Sequence, residues 1–580
     1  MNGFFEYFRL LMVVTVVCFP CLNASLVLTE IHYNPKGSDD YEYLEFYNAG
    51  TETIDLTGYK LVKNAQNDGL AFSFPSTTLE AGAFLLLVED ATAFAARYQT
   101  SSSAYYQENI TVSGTWSGGL GNDGEVIILQ DPSGQEVFQF EYDNVNDWPE
   151  EADGLGSSLE LKDPVEYALL STTADRNNHL GDEDNWRASA DYHGNPGRDG
   201  AKATRSVVIN EILSNTDGVV TDTVEIYNPT SNDIDISGWY MSDSTTFKKY
   251  RIPEGTQLAA GDYVTFDESH FNPNGDWNPS AGTATSTEFS FSGSKGDQIY
   301  LIQADASGNL LRLIDHVEFG ATLSGESFGR WPDEEGYFTP MTTFTPGAAN
   351  SGPRVGPVVI TELMYNAGSA SNADDLEFIE IYNNGSATES LENWTIANGV
   401  SYTFPLGTTI HSGDYLIVVG FAPTDGTKLA TFRAKYGLDN SVTPLGPWSG
   451  SLSNRGETLL LQRSDTNGDL LTDNNTDNTS YPLVTEDEVT YSDRGDWPSR
   501  ADGTGLTLSK KNFTSWGNMG DSWRSSNELQ GNLLDIGKPQ REIAITEVLA
   551  HTDYPLTDTI ELHNPGDSDI DISGWYLSDT

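Results

Sequence analysis

At 580 residues the chain is too long for one hydrophobic core, and its length predicts roughly four domains. Hydrophobic residues at 37% and aromatics at 11% exclude wholesale disorder, while 30 lysines and arginines against 86 aspartates and glutamates leave a net charge of -56. So few scattered cations disfavour nucleic acid and anionic membranes as partners, because gripping a phosphate backbone takes clustered positive charge.

The N-terminal stretch MNGFFEYFRLLMVVTVVCFPCLNAS places Arg9 ahead of an apolar run from Leu10 to Phe19 and ends in small residues around Ala24. This pattern predicts a signal peptide over residues 1–24 and an exported, extracellular or cell-surface protein with no membrane insertion after cleavage. Both cysteines, Cys18 and Cys21, fall inside it. The mature chain is therefore expected to have no disulfides, thiol nucleophile or cysteine-based zinc site.

After the leader, short apolar runs broken by Asn-Gly, Asp-Gly and Asn-Pro predict an all-β protein. One strand pattern opens four times, as LVLTEIHYN (26–34), VVINEILSN (207–215), VVITELMYN (358–366) and IAITEVLAH (543–551). Each is followed by a second run, YLEFYNAG, TVEIYNPT, FIEIYNNG and TIELHNPG, and then by LTGYKL, ISGWYM, LENWTI and ISGWYL. In the first three copies Gly82, Gly261 and Gly413 precede FLLLV, YVTF and YLIVV. Copies one and three share a long ending with DWP and NWRAS or SWRSS, whereas copy two ends in GRWPDEEGYF and TPGAAN. DIDISGWYMSD at 233–243 returns as DIDISGWYLSD at 569–579, which reads as the mark of a duplicated pair.

Linkers rich in Gly, Pro and Ser around 193–206 and 347–357, and a softer junction near 530–542, separate the copies. The expected organisation is domains at 25–200, 204–352 and 355–537 and an incomplete fourth at 541–580. Because that copy stops after its third strand, the chain is expected to be a fragment of a longer protein. Strand patterning suggests sandwiches: Val207, Ile209 and Leu213 alternate on one side of their strand, as do Val224 and Ile226 in the next.

The ordered series [IV]-x-E-[ILV], [FIV]-E-[IL]-x-N, [IL]-x-G-W, GDY before an apolar strand, WP and TPGxxN resembles the lamin tail domain. The resemblance covers nearly all of residues 25–530 and the piece after 541. It implies tandem immunoglobulin-like β-sandwiches, a family found in nuclear lamins and in many secreted bacterial proteins. There such domains resemble accessory modules, often beside a hydrolase, a nuclease or a CotH-like kinase domain, and no catalytic residue belongs to the module itself. Two departures concern packing: Tyr59 stands for the Trp in the first copy, and Asn393 for the Gly before Trp394 in the third.

Internal copies also weigh the candidate chemistry. SGSK at 292–295 matches the Ser-x-x-Lys pattern of acyl-transfer enzymes, but GNDG and SNRG stand at the equivalent places, so a loop is expected. DTNGD spaces Asp465, Asn467 and Asp469 as calcium ligands, although the equivalents DPSGQ and DASGN read as hairpin turns and Thr476 stands where a calcium loop needs a glutamate. These three residues are the metal candidates, with calcium the one cofactor they suggest.

The most regular acids are Glu30 with Glu45, Glu211 with Glu225, Glu362 with Glu380 and Glu547 with Glu561. Strand parity places Glu30 on the face of Leu26 and Leu28 but Glu45 opposite Leu44 and Phe46, which argues against a catalytic dyad. A structural role, with backbone donors satisfying each first glutamate, and a shared cation site are the two alternatives. His32, His179, His270 and His316 show no ligand spacing. Trp239, Trp394 and Trp575 read as core and Trp148, Trp331 and Trp497 as corner braces, with Trp116 and Trp448 as loop packing or a sugar-stacking platform.

Together these readings predict a secreted, non-catalytic array for binding, adhesion or spacing, whose partner is a cell-surface glycan or matrix component met through avidity. The alternative is the accessory region of a larger extracellular enzyme whose catalytic domain follows residue 580.

Overall fold

Alternating β-branched and aromatic residues, stopped by glycine and asparagine turns, dictate short antiparallel strands throughout. The computed structural model describes residues 25–64, 69–145, 148–200, 206–216, 221–273, 288–333, 336–368, 373–465, 471–472, 479–526, 533, 544–549, 559–564, 572–573 and 577. The leader 1–24 and Trp575 lie outside them. No helix among the described residues is long and apolar enough to cross a membrane.

In the first module a six-stranded sheet runs in the order Trp186–Ala188, Leu159–Leu161, Leu26–His32, Tyr43–Asn48, Phe84–Val88 and Val112–Thr115, with only the last pair parallel. A four-stranded sheet, Glu136–Tyr142, Glu125–Gln130, Lys60–Leu61 and Phe72–Ser73, faces it. Leu28, Ile31, Leu44 and Phe46 from the first sheet meet Leu61, Ile127, Leu129 and Phe138 from the second in one buried core. The third module repeats the plan, with Ile360, Leu363, Ile379 and Ile381 packed against Ile396, Leu459, Leu461 and Val489. The second module has the corresponding sheets of five and four strands. Of the fourth, the hairpin Ala544–Leu549 with Thr559–His563 is described.

The chain divides into two compact units, and the division runs through the second module. Inside the first unit, Leu155 and Tyr192 of the first module share an apolar cluster with Phe247, Tyr300, Ile302 and Leu310 of the second. Inside the second unit, Arg354 ion-pairs with Glu326 of the second module and Glu486 of the third, and donates to the Thr485 carbonyl. Neighbouring modules are thus packed together, not strung on free linkers.

In modules one and three the central strands of the first sheet are largely buried on both faces, which explains the runs FLLLV and YLIVV that do not alternate; in module two the equivalent strand Tyr263–Asp267 is more open. In the third module the helix Gly426–Tyr436, capped by Asp425 and ended by left-handed Gly437, lays Phe432 and Tyr436 on Phe378, Ile417 and Val419. In the first, Phe94 and Tyr98 do the same on Tyr43, Leu86 and Val88.

Polar signatures of the repeat act as clips. Asn48, Asn228 and Asn383 are fully buried, and each Nδ2 donates both to a carbonyl of the following turn, Glu52, Asn232 or Ala387, and to one from a more distant strand, Leu79, Leu258 or Ile410, with Ala259 a third acceptor for Asn228. The amides of Gly82, Gly261 and Gly413 return to the carbonyls of the same asparagines at 2.9 Å. At the third signature the turn demands a left-handed residue before the aromatic position: Gly58 at φ 84°, Gly238 at 76° and Asn393 at 62°. Asparagine tolerates that region where other side chains do not, so the departure at 393 preserves the turn. Asn393→Ala is expected to destabilise the third module by about 1–2 kcal/mol while Asn393→Gly leaves it within a few tenths, read as shifts in urea unfolding midpoints.

Candidate functional site

The glutamate pairs come together through a backbone irregularity. In all four copies the register slips by one residue just before the first glutamate, and Glu30, Glu211, Glu362 and Glu547 then stand directly across from Glu45, Glu225, Glu380 and Glu561. The bulge overturns the parity expectation. Leu28 pairs with Phe46 and Ile31 with Leu44 on the core side, so Glu30 joins Glu45 on the outer face. The second module shows the same correction: Ile209 and Ile212, not Leu213, pair with Ile226 and Val224.

The extra residue has its own task. Thr29, Asn210, Thr361 and Thr546 each donate from the side chain to Oε1 of the second glutamate, at 2.8, 3.0, 2.8 and 2.7 Å. A hydroxyl from the closing strand, Ser158, Ser327 or Thr507, donates to Oε1 of the first. In modules one and two a Pro-Gly loop lies over the pair and adds backbone donors. Asn195 N reaches Glu30 and Gly197 N reaches Glu45 at 3.0 and 2.6 Å; Thr345 N reaches Glu211 at 2.9 Å and Gly347 N reaches Glu225. The stretch from His193 to Gly200, expected as linker, is therefore partly a clamp, and the backbone donors expected for each first glutamate are present in these two modules.

Burial is the dominant force on these acids. It raises Glu30, raises Glu45 well above the usual carboxylate range with help from the Glu30 charge, and pushes Glu225 up to about 7. Among the described residues only the first module adds a third acid to the row. Glu160 lies across from Glu30 on the next strand, and Arg187 across from Glu160, so one row across the sheet reads Arg187, Glu160, Glu30, Glu45. Burial and the neighbouring Glu30 push Glu160 up to about 8 despite an ion pair to Arg187 at 2.9 Å. Gly329 and Ser509 occupy that place in modules two and three. A cavity of about 190 Å³ opens beside the row, walled on its apolar side by the stacked rings of Tyr47 and Phe84.

A second recurrent acid set escaped the sequence reading. Glu42, Asp222 and Glu377 precede the second strand and accept the amides of Leu120, Phe291 and Leu452 at 3.2, 2.8 and 3.4 Å. Burial pushes them up to about 8, 7 and 8. The signal was available: an acid stands one place before TVEIY, YLEFY and FIEIY each time.

The remaining candidates fall as follows. Ser292 and Lys295 sit in a turn, with Lys295 N donating to Ser292 Oγ at 3.3 Å before the strand Asp297–Ala304. Asp131 and Asp305 close hairpin turns through backbone amides. Asp465 is buried at the end of the strand Gly456–Ser464 with its amide on the Pro482 carbonyl; Asn467 and Asp469 lie outside the described residues. Trp116 and Trp448 are 7% and 5% exposed and belong to the two cores, so neither is a sugar-stacking platform. Trp239 and Trp394 are buried as expected, and Trp148 packs on Trp186. His32 is fully buried and held neutral, down to about 3.

The Lamin Tail Domain family model matches residues 22–144, 200–321 and 352–487, more than half of the chain. The chain belongs to the lamin tail domain family. Its modules are accordingly tandem immunoglobulin-like β-sandwiches, and the bulge, the buried asparagine and the left-handed turn are how this lamin tail array builds them. No curated protein matches the sequence. Among solved structures, a DUF4876 family protein from Bacteroides thetaiotaomicron is 12% identical, covering 56% of this chain and 92% of its own, with a TM-score of 0.20.

Each raised acid binds its proton more tightly folded than unfolded, so its contribution to stability is complete below its ordinary value, 4.5 for Glu42 and Glu377 and 3.8 for Asp222, and is lost as pH rises through 7 to 8. Urea midpoints are therefore expected to fall between pH 5 and pH 9, and to fall less in Glu42→Gln and Glu377→Gln than in the parent chain.

Proposed function

We propose that this lamin tail array is exported and works outside the cell as a non-catalytic binding region, presenting several weak faces for a glycan or matrix polymer. The observation that carries this reading is how the recurrent polar residues are used. The paired glutamates, the asparagine clips and the acids before the second strand recur at equivalent places, and each spends its hydrogen bonds on holding a strand, a turn or a closing loop. Groups engaged in this way hold shape; they are not poised to attack a bond or deliver a proton in a cleft. Repetition adds to this, because several similar faces on one chain gain affinity for a repeating polymer without any single strong site. Surface acidity keeps such an array soluble and directs it away from anionic partners.

The purified chain is expected to be retained on at least one insoluble polysaccharide, cell-wall or matrix preparation, with retention rising steeply with ligand density and no soluble product released. Absence of retention on all of them, with calcium or with chelator, reduces the reading to a spacer; release of product makes it an enzyme.

A further inference from the structure

The first module differs from its copies at one place, and that difference has the chemistry of a ligand site. The row Glu160, Glu30, Glu45 brings three buried carboxylates onto the outer face of one sheet, where modules two and three bring two. Hydrogen bonds do not exhaust their oxygens. Glu30 Oε2, Glu160 Oε1 and the Asn195 side-chain oxygen are buried and accept no hydrogen bond, on residues only 1%, 3% and 2% exposed, although the Asn195 side chain lies close enough to the Glu160 carboxyl to favour its charged form. All three residues line the same cavity of about 190 Å³. Unsatisfied buried acceptors are costly, and three around one void ask for a donor or a positive charge.

The loop above them is shaped to leave that room. Gly200 lies against Glu160 so closely that a Cβ there would fall 2.4 Å from both carboxylate oxygens. Arg187 is already committed, Nε to Glu160 Oε2 at 2.9 Å and Nη2 to the Gly200 carbonyl at 3.3 Å, and Arg198 pairs with Asp191. Neither arginine takes the free oxygens.

We propose that the first module binds a divalent cation of the calcium type in this cavity, through the carboxylates of Glu30 and Glu160 and the side-chain oxygen of Asn195, with water completing the shell. An all-oxygen ligand set from flexible carboxyl and amide groups suits calcium, and because burial favours the protonated forms of Glu30 and Glu160, the cation displaces protons on binding and is held more tightly as pH rises. The cation joins the closing strand, the first strand and the Pro-Gly loop, so binding tightens the loop on the sheet. Module two, with Gly329 in place of Glu160, has the same loop over a pair of acids and is not expected to bind at the equivalent place.

The test is hydrogen exchange on the purified chain, with millimolar calcium chloride and with chelator, alongside calorimetric titration of the parent, Glu160→Gln and Asp465→Asn. Calcium is expected to slow exchange at 193–200 at least threefold while leaving 345–352 unchanged. Titration is expected to show a site lost in Glu160→Gln and kept in Asp465→Asn. Exchange needs no variant, so a failure of Glu160→Gln to fold does not blunt it. Equal protection of both loops or of neither overturns the proposal, as does a Glu160→Gln variant that titrates like the parent.

Discussion

One extra residue in the first strand governs the build of each module. A strand has a side-chain period of two, and without the slip before Glu30 the two glutamates would face opposite sides of the sheet. The bulge turns both outward together, and its own Thr or Asn side chain ties the second glutamate to the first strand in all four copies. Like charges directly across a ladder repel. The pair is kept because hydroxyl and amide donors from the closing strand and the Pro-Gly loop converge on it, so distant parts of the chain must arrive for the first hairpin to be satisfied. The fourth hairpin keeps the slip and the threonine bond with Ile545 and Val548 exposed, so both features are local to the two strands.

Burial then decides the character of these acids. Glu30, Glu45 and Glu160 lie where water cannot stabilise a charge, and donors only partly make up for it. The same balance recurs at Glu42, Asp222 and Glu377, where one amide holds the carboxyl but burial outweighs it. A strongly acidic protein has thus placed a recurrent set of its carboxyl groups in sheets as hydrogen-bonding joints.

Much of the fold could be read from the sequence, because order within a repeat survives substitution. The four openings, the Asn-Gly turns and the aromatic third strand fell where the strands are, and Asn393 stood for Gly because both accept the left-handed turn. The site was less legible. Counting by twos cannot see a bulge, and it puts Glu30 and Glu45 on opposite faces. NPG at 195–197 reads as linker by composition, yet like TPG at 345–347 it closes a module. Glu160 sits in SSLEL, where the other copies have glycine or serine, and a residue unique to one copy gives comparison nothing to align. The outer cover of Phe94, Tyr98, Phe432 and Tyr436 was equally hidden, since what lies over a sheet depends on tertiary approach and not on strand pattern.

The two joints between neighbouring modules are made of different materials. The first is mainly greasy, with Tyr192 and Leu155 against Phe247 and Tyr300 and a half-exposed ion pair from Arg312 to Asp191 at its rim, and its apolar contacts loosen on cooling. The second is ionic, with the Arg354 guanidinium held among Glu326, Glu486 and the Thr485 carbonyl, and ionic contacts soften as dissolved salt rises. An array jointed in this way has no single weather in which all of it goes slack: cold slackens one articulation, brine the other.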